Sequence, residues 1–471
     1  MSLIEGFLSG SESKILEFKR DLSSPQPILK TLVAFANTAG GRLVIGISDD
    51  KQRVGVGNSL DEEERLSSLI ADSISPRLVP NIELLTVEDK TLLVVEVFLS
   101  NSRPHYLSRE GIEQGVYVRL GSSNRQADQA LIGELHRSVE GVAFDEMPMP
   151  ELSVDDLDIQ AAQEALGDRR RLDEKSLLTL KLLTHHQNRY VPTQGGILLF
   201  GKQRKKYFSD AWIQCGRFFG REKIDIFDHI DIDVPLPQAV DEVMLFLKKH
   251  AFRSADLSEV RRKDLWSIPL GILREVIINA LVHSDYSQRG APIRITFLDD
   301  RIEVESMGIL LPGLTIEEMK QGTSRIRNHV IARVFREINL IEQWGTGVCR
   351  IFSEARELGL PEPKIEEVGM RVRFTIYLLK PHAIDQGNES PTQSPTQSVQ
   401  VMQLLRCLSD GEKSAGELRE LLGLTHRQTF RENYLHPALE QGLIERTIPN
   451  KPNSRLQKYR LKNEKYLGIM R

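Results

Sequence analysis

The spacing of apolar positions predicts alternating helices and strands near the start of the chain. Apolar residues recur at helical intervals from Ile28 to Asn37. Runs typical of β-strands extend over Arg42 to Ile47, Thr91 to Phe98 and Gly115 to Arg119. The alternation of these two patterns indicates a mixed α/β domain.

The middle of the chain carries another helical pattern, followed by two strand patterns. Apolar residues keep a helical period from Ile268 to His283, and strand-like runs cover Ile293 to Phe297 and Arg301 to Glu305. Because two aspartates form a short polar turn between these runs, we expect an antiparallel pair with the helix packed on it. Upstream, the apolar run Ile197 to Phe200 is predicted to be a buried strand.

The end of the chain predicts a small domain of helices followed by strands. Val401 to Leu408 and Ser414 to Leu422 have amphipathic spacing, and Thr425 can cap a third helix. Beyond Gly442 the sequence predicts a strand, a polar loop and a returning strand. This order of elements is typical of a winged helix-turn-helix.

Changes in composition divide the chain into segments. A polar SPTQ repeat between Gly387 and Gln400 is typical of a flexible linker, and prolines at 148 and 150 mark a weaker break. The predicted fold class is a multidomain α/β (α+β) protein. Its predicted segments are 1–140 (an α/β domain), 150–230 (a connecting α/β region), 231–380 (an α/β sandwich), 381–399 (a linker) and 400–471 (a winged helix).

Composition and charge exclude several classes of protein. With 40% hydrophobic residues, 27% charged residues and a net charge of −4 over 471 residues, the chain is neither disordered nor basic throughout. Its three cysteines are far apart, which argues against a disulfide framework and a structural zinc site. Since no membrane span or leader pattern is present, we expect a cytoplasmic protein with no membrane partner.

Three polar residues are predicted to share one face of the central helix. Glu275, Asn279 and His283 recur every fourth position, and the other faces are apolar. A carboxylate and an amide at this spacing suit a water molecule and a magnesium ion beside a phosphate. Further on, Gly345 and Gly347 precede a predicted helix, where backbone amides can approach a phosphate. The alternative is an ordinary solvated helix face and a tight turn.

These residues resemble the GHKL ATPase superfamily, in the divergent, RecG-related branch found after Schlafen-like domains in bacterial transcriptional regulators. The resemblance covers about residues 230–380 and includes the run Thr323 to Ala332. It implies that Glu275 polarises the attacking water and that Asn279 binds Mg²⁺, with ATP as the nucleotide. Ser306-Met307-Gly308 replaces the usual adenine-recognising box, and hydrolysis stays open. The implied cofactor-binding residues are Asn279, His283, Arg325, Arg327, Asn328, Gly345, Thr346 and Gly347.

The start of the chain resembles the Schlafen core, an AlbA-type nucleic-acid-binding domain. The resemblance spans about residues 10–135 and rests on the motifs Glu12 to Lys19, Ala34 to Gly41 and Tyr117 to Arg125. Two interpretations remain. In a nuclease, three carboxylates would bind Mg²⁺ or Mn²⁺ while a lysine holds the scissile phosphate; these residues are Glu12, Glu17, Asp49 and Lys19. In a binding domain, cations would contact the backbone without cleavage; these are Lys19, Arg42, Arg119 and Arg125.

The tail from Val401 onward is basic, with thirteen Lys and Arg against eight Asp and Glu. It resembles the winged-helix tails of this protein class and of Fic-type proteins, which implies DNA binding; protein contact is the alternative. The candidate contact residues are Arg427, Arg431, Lys451, Arg455 and Lys458.

The sequence therefore predicts an ATP-responsive, homo-oligomeric nucleic-acid-binding protein that regulates transcription, with DNA or RNA as its partner. The competing prediction is a metal-dependent Schlafen-type endonuclease. Such an enzyme would cleave RNA or tRNA under nucleotide control, in stress or phage defence.

Overall fold

The computed structural model describes residues 10–167, 171–256, 263–341, 347–378, 399–408, 411–422, 424, 427–440, 442–448 and 457–462. The chain divides into two compact units, Met1–Ile384 and Asp385–Arg471. The predicted linker 381–399 lies almost entirely outside the described residues, which resume at residue 399.

The larger unit begins with an N-terminal part, residues 10–140, built around a four-stranded sheet. The strands of the N-terminal part are β1 (Leu16–Lys19), β2 (Gly41–Ile45), β3 (Ile74–Ser75), β4 (Asn81–Val87), β5 (Lys90–Val97), β6 (Tyr106–Leu107), β7 (Tyr117–Leu120) and β8 (Ser123–Gln126). Its helices are α1 (Pro25–Asn37), α2 (Ser59–Ser73), α3 (Gly111–Gln114) and α4 (Gln129–Glu140). The sheet order is β1-β2-β5-β4, with β1 parallel to β2 and the other neighbours antiparallel.

Helix α1 supplies much of the core of the N-terminal part. Two prolines occupy its first turn, where their missing N–H groups cost nothing. Ile28, Leu32 and Phe35 are fully buried and pack with Leu43 and Val95 of the sheet. The predicted helix and the strands around residues 42–47 and 91–98 are confirmed.

The central part, residues 141–378, contains a larger sheet. The strands of the central part are β9 (Leu183–His186), β10 (Arg189–Pro192), β11 (Ile213–Phe218), β12 (Ile226–Ile232), β13 (Arg253–Asp256), β14 (Lys263–Trp266), β15 (Ile293–Phe297), β16 (Arg301–Met307), β17 (Lys364–Glu367) and β18 (Arg371–Tyr377). Its helices are α5 (Ile159–Leu166), α6 (Glu174–Thr179), α7 (Gln194–Phe200), α8 (Arg204–Tyr207), α9 (Leu236–His250), α10 (Leu270–His283), α11 (Ile316–Lys320), α12 (His329–Glu337) and α13 (Gly347–Glu357). Two 3₁₀ turns, Phe144–Glu146 and Val154–Asp156, precede them.

Six strands form one sheet in the order β12-β11-β15-β16-β18-β17, with helix α10 packed against it. The predicted antiparallel pair is confirmed, with Phe297 opposite Ile302. Helix α10 buries Ile272, Leu273 and Val276 in the core shared with the sheet. Strands β11 and β12, from the predicted connecting region, belong to this same sheet.

The apolar run Ile197 to Phe200 is helical, so its prediction as a strand is wrong. It belongs to α7, where the Thr193 hydroxyl accepts a hydrogen bond from Gly196 N at 2.9 Å. A Cβ on Gly195 would lie 2.6 Å from Val330 Cβ, so this helix packs closely on α12. A short apolar run has no periodicity that separates a buried strand from a buried helix.

The C-terminal unit combines helices with a small sheet. Its elements are α14 (Val399–Cys407), β19 (Lys413–Ser414), α15 (Ala415–Leu421), α16 (Arg427–Phe430), a π-helical turn (Arg431–Leu435), α17 (His436–Glu440), β20 (Ile444–Arg446) and β21 (Lys458–Leu461). The sheet order is β19-β21-β20. Leu404, Leu418 and Phe430 form part of its buried core. The predicted helices and returning strands are present; the winged-helix assignment itself stays a prediction.

In the described part of the chain, no helix is long and apolar enough to cross a membrane. The cysteines Cys215, Cys349 and Cys407 form no disulfide.

Candidate functional site

Helix α10 brings Glu275 and Asn279 together, and Asn279 lines a cavity. Asn279 Nδ2 donates to the Glu275 backbone oxygen at 2.8 Å and to Glu275 Oε1 at 3.1 Å. Both side chains are partly exposed, in contrast to the apolar faces of the helix. With its amide nitrogen held by Glu275, Asn279 has its Oδ1 left as an acceptor beside the cavity, which it lines.

Gly347, the first residue of α13, lies directly against Glu275. A Cβ built on Gly347 would stand 1.9 Å from Glu275 Oε1, so no larger residue fits without displacing the carboxylate. Arg350 Nη2 lies 3.9 Å from Glu275 Oε2 on the same side. The predicted phosphate-binding residues Gly345 and Thr346 lie outside the described residues.

The pocket beside Asn279 has a volume of about 60 Å³. It lies among helices α10, α11 and α13 and strands β16 and β18, and most of its wall is apolar. Its polar rim is formed by Asn279, His283, Ser306, Thr323, Ser324, Arg325 and Arg327. A mostly apolar pocket with a few convergent polar groups has the lining that is typical of a small-molecule site. The structure therefore brings together four of the predicted cofactor residues: Asn279, His283, Arg325 and Arg327.

His283 contributes a neutral ring to this cavity. Burial, with a smaller effect of the nearby Arg327 guanidinium, lowers the pKa of His283 to about 4. At neutral pH the imidazole therefore offers one donor and one acceptor and no positive charge.

Arg327 reaches the cavity wall, but its donors are engaged within the protein. Nη1 donates to the His283 backbone oxygen at 2.9 Å, Nη2 to that of Ile309 at 2.5 Å, and Nε to Glu134 Oε1 at 2.8 Å. Gly308, at φ +100°, allows the guanidinium through, because a Cβ there would lie 2.1 Å from Nη1. The prediction that Arg327 holds the nucleotide is therefore replaced by a structural role.

Asn328 also has a structural position. It is fully buried, and its Nδ2 donates to the backbone oxygens of Val282 and Ser284 at 2.8 and 2.7 Å. These bonds fix the end of α10, so the prediction that Asn328 contacts the cofactor is corrected. Its neighbour Arg325 does line the cavity, and Nη1 donates to the Pro312 backbone oxygen at 2.8 Å.

In the N-terminal part, Glu17 is the centre of a buried charge cluster. Its two carboxylate oxygens accept hydrogen bonds from Arg119 and Lys19. The Arg119 residue is only 1% exposed, and its Nη1 also donates to Asn124 Oδ1 at 3.0 Å. Arg119 therefore cannot contact a nucleic-acid backbone from this position, which corrects its predicted role.

The three predicted metal ligands do not form a metal-binding group. Glu12 Oε1 accepts from Phe18 N at 3.1 Å, Asp49 is exposed, and Glu17 is occupied by its two cations. Within the described ranges, no cluster of three or more His, Cys, Asp or Glu side chains is arranged to hold a metal. The geometry thus gives the nuclease interpretation no support.

Exposed cations remain as candidates for nucleic-acid contact. In the N-terminal part, Arg125 is exposed on β8, while Arg42 is exposed and paired with Glu96 at 2.7 Å. In the C-terminal unit, exposed side chains are present at Arg427, Arg431 and Lys458. Lys451 and Arg455 lie outside the described residues.

Buried ion pairs join the N-terminal part to the central part of the larger unit, and they were not predicted from the sequence. Lys14 Nζ lies 2.8 Å from both carboxylate oxygens of Glu367, and both side chains are buried. Arg327 and Glu134 make the second pair. Partners separated by 353 and 193 positions leave no local signal in a single sequence.

Three family matches cover parts of this chain. Residues 12–128 match "Schlafen, AlbA_2", residues 290–376 match "Putative ATP-dependent DNA helicase recG C-terminal", and residues 399–462 match "Filamentation induced by cAMP protein Fic-like, C-terminal domain". The first two matches indicate a nucleic-acid-binding, ATP-related protein. Helix α10, with Glu275 and Asn279, precedes the second match.

Solved structures give similarities of limited extent. The DIP2311 protein from Corynebacterium diphtheriae is 18% identical, with 99% of this chain and 98% of that chain covered and a TM-score of 0.44. The N-terminal domain of a "Putative ATP-dependent DNA Helicase RecG-related Protein" from Nitrosomonas europaea is 30% identical, with 26% and 90% covered and a TM-score of 0.22. A Fic family protein from Desulfovibrio desulfuricans G20 is 15% identical, with 72% and 77% covered and a TM-score of 0.14. No curated protein matches the chain.

Proposed function

We propose that this chain, a Schlafen, AlbA_2 domain followed by a RecG C-terminal-like segment and a Fic-like C-terminal domain, is a nucleotide-responsive nucleic-acid-binding regulator. The observation that carries the proposal is the mostly apolar pocket lined by Asn279, whose amide donates a hydrogen bond to the Glu275 carboxylate. A carboxylate and an amide oxygen at the mouth of an apolar cavity form a suitable setting for a nucleotide with its metal ion.

The donor set fits magnesium. Asn279 Oδ1 and the Glu275 carboxylate are hard oxygen donors of the kind that Mg²⁺ takes alongside water and phosphate. Asn279 would hold the ion, which would neutralise phosphate charge, while Glu275 would orient a water molecule by accepting its hydrogen bond. Gly347 supports this assignment, because the absence of a side chain at position 347 leaves room for the Glu275 carboxylate. A Cβ there would lie 1.9 Å from Glu275 Oε1.

The base of the nucleotide would occupy the apolar wall. Ser306, at the end of β16, lines the cavity with a hydroxyl that both donates and accepts, where the usual adenine-binding carboxylate is missing. Val372 and Phe374 of β18 supply apolar surface next to it. ATP is the nucleotide that we propose, and discrimination against GTP is expected to be weak, because a hydroxyl satisfies either base edge.

The nucleic-acid partner would be bound by the cations at the two ends of the chain. Arg125 in the N-terminal part and Arg427 and Arg431 in the C-terminal unit are exposed, as contacts to phosphates require. Regulation of transcription is the biological role that we assign to this combination. Cleavage is not part of the proposal, since Glu17 is occupied by Arg119 and Lys19.

Asn279→Ala tests the nucleotide site directly. Because a methyl group supplies no ligand, we expect Mg²⁺-dependent ATP binding to fall by at least tenfold in calorimetry of the full chain, with an unchanged circular dichroism spectrum. The matched control is Gln160→Ala, which removes an exposed amide from α5, away from the cavity. Equal ATP affinity in the two variants would refute the site.

Glu275→Ala separates binding from hydrolysis. If Glu275 orients water, its loss should leave ATP affinity within a few fold of wild type and remove any phosphate release. A variant that releases phosphate at the wild-type rate would contradict this role of Glu275.

A further inference from the structure

Three arginines from separate segments line a cleft between the N-terminal and central parts. Arg103 follows β5, Arg137 lies on α4, and Arg325 follows α11. The cleft has a volume of about 380 Å³ and adjoins the nucleotide cavity at Leu311, Arg325 and Arg327. Its size is in the range of small-molecule sites.

None of these three guanidinium groups pairs with a carboxylate among the described residues. Arg103 donates to the Ser100 backbone oxygen and to Ser138 Oγ, the latter at 3.2 Å. Arg137 stacks on Phe144, with 5.4 Å between the guanidinium carbon and the ring centroid. Arg325 donates to a backbone oxygen at 2.8 Å. Each of the three has neutral hydrogen-bond or ring partners; Arg137 is also attracted by Glu134, which itself pairs with Arg327.

The acidic residues that line the cleft are engaged elsewhere. Glu134 forms the buried ion pair with Arg327. Both oxygens of Asp285 accept hydrogen bonds, from Ser287 at 2.6 Å and from Gln288 at 2.9 Å. The remaining titratable group, His329, lies 3.6 Å from Glu146. The cleft carries an excess of positive charge because four arginines line it against two carboxylates, those of Glu134 and Asp285.

Arg103 shows that this charge is costly without a ligand. The residue is 8% exposed and its Nε has no hydrogen-bond partner among the described residues. Burial, and to a lesser degree the neighbouring Arg325, lowers the pKa of Arg103. Buried like charges are unfavourable unless an anion compensates them, and arginine forks are suited to phosphate oxygens.

We propose that this cleft binds a phosphorylated small molecule, with Arg103, Arg137 and Arg325 as its phosphate contacts. A diphosphate group has more acceptor oxygens than a single carboxylate, so it could accept hydrogen bonds from more than one guanidinium at once. The nucleotide cavity shares Arg325 and Arg327 with the cleft, so the two sites adjoin each other at the segment 325–327. The proposal does not depend on which nucleotide occupies the cavity.

Pyrophosphate binding to the full chain tests the site. By calorimetry, wild type should bind one pyrophosphate, and Arg137→Gln should weaken it by at least tenfold, because a charge-assisted contact is lost. Arg137→Lys should retain part of the affinity. The control Arg65→Gln removes an exposed arginine of α2 that pairs with Glu62 at 3.5 Å, and it should bind like wild type.

Asn279→Ala distinguishes this site from the nucleotide cavity. If pyrophosphate binds in the cleft, Asn279→Ala retains it and Arg137→Gln retains ATP binding. No binding by wild type, equal binding by Arg137→Gln and Arg65→Gln, or loss in Asn279→Ala alone would each overturn the proposal. A short single-stranded oligonucleotide should not displace pyrophosphate, and tighter competition by that strand would assign the cleft to nucleic-acid phosphates instead.

Discussion

Asp145→Asn is expected to remove a pH dependence from the stability of the larger unit. Asp145 is fully buried at the N-terminus of α12, where Oδ2 accepts from Val330 N at 2.7 Å and Ile331 N at 3.0 Å. Its Oδ1 has no partner among the described residues. Burial raises the pKa of Asp145 from 3.8 to about 7, although the hydrogen bonds from the helix amides act against this increase.

The sign of the effect follows from this raised pKa. The folded chain binds the Asp145 proton more tightly than the unfolded chain, so protonation stabilises the fold at low pH. This contribution is complete below the unfolded pKa, near 4, and disappears as the pH rises through about 7. The pKa difference corresponds to about 4 kcal/mol in full, of which about 3 kcal/mol should be lost between about pH 5 and pH 8.

Urea unfolding at about pH 5 and pH 8 measures this loss. The three tryptophans, Trp212, Trp266 and Trp344, all belong to the larger unit, so their fluorescence reports its unfolding selectively. The amide introduced by Asp145→Asn can still accept from the helix N–H groups and has no carboxyl proton to release as the pH rises. The wild type should therefore lose about 3 kcal/mol more than Asp145→Asn.

The control Asp155→Asn changes an exposed aspartate in the second 3₁₀ turn and should behave as wild type. An equal loss of stability in wild type and Asp145→Asn would show that Asp145 is not the group that titrates.

Three further predictions concern the buried Arg327–Glu134 ion pair, the nucleotide site and the C-terminal tail. Glu134→Leu should lower the free energy of unfolding by about 3 to 5 kcal/mol, because it leaves the buried Arg327 without its carboxylate; a loss no larger than that of the exposed Glu140→Leu would contradict this. Gly347→Ala should leave ATP affinity within a few fold of wild type and reduce any phosphate release about tenfold or more, since its methyl group displaces the Glu275 carboxylate; phosphate release at the wild-type rate would refute the contact. Deletion of residues 400–471 should reduce duplex DNA affinity and flatten its salt dependence; equal binding at every salt concentration would exclude the tail as a DNA-binding element.

The parts of the fold that were predicted correctly are those with local periodicity. Helix α10 and the strands after it repeat their apolar residues at 3.6 and 2 residues, and the pattern places Glu275 and Asn279 on one face without any tertiary information. The failure at Ile197 to Phe200 has the opposite cause. That run is apolar throughout and short, so burial was evident and secondary structure was not.

The roles of charged residues were predicted less well because burial depends on distant partners. Arg119 was expected at a surface, since most arginines are exposed. It is buried because Glu17, 102 positions earlier on strand β1, supplies a carboxylate that pairs with it. The same holds for Arg327 and Glu134. A single sequence contains the charges of such pairs and does not indicate which residues meet.

The position of Arg327 links the nucleotide cavity to the N-terminal part. One guanidinium contacts the last residue of α10, the helix that carries Asn279, and also contacts Glu134 on α4. Because both contacts come from one rigid planar group, the end of α10 cannot move independently of α4 without breaking a buried hydrogen bond. Any ligand that shifts this end of α10 must therefore either move α4 with it or break the ion pair. The Arg327 contacts therefore couple the end of α10 physically to helix α4, which directly follows the residues that match Schlafen, AlbA_2.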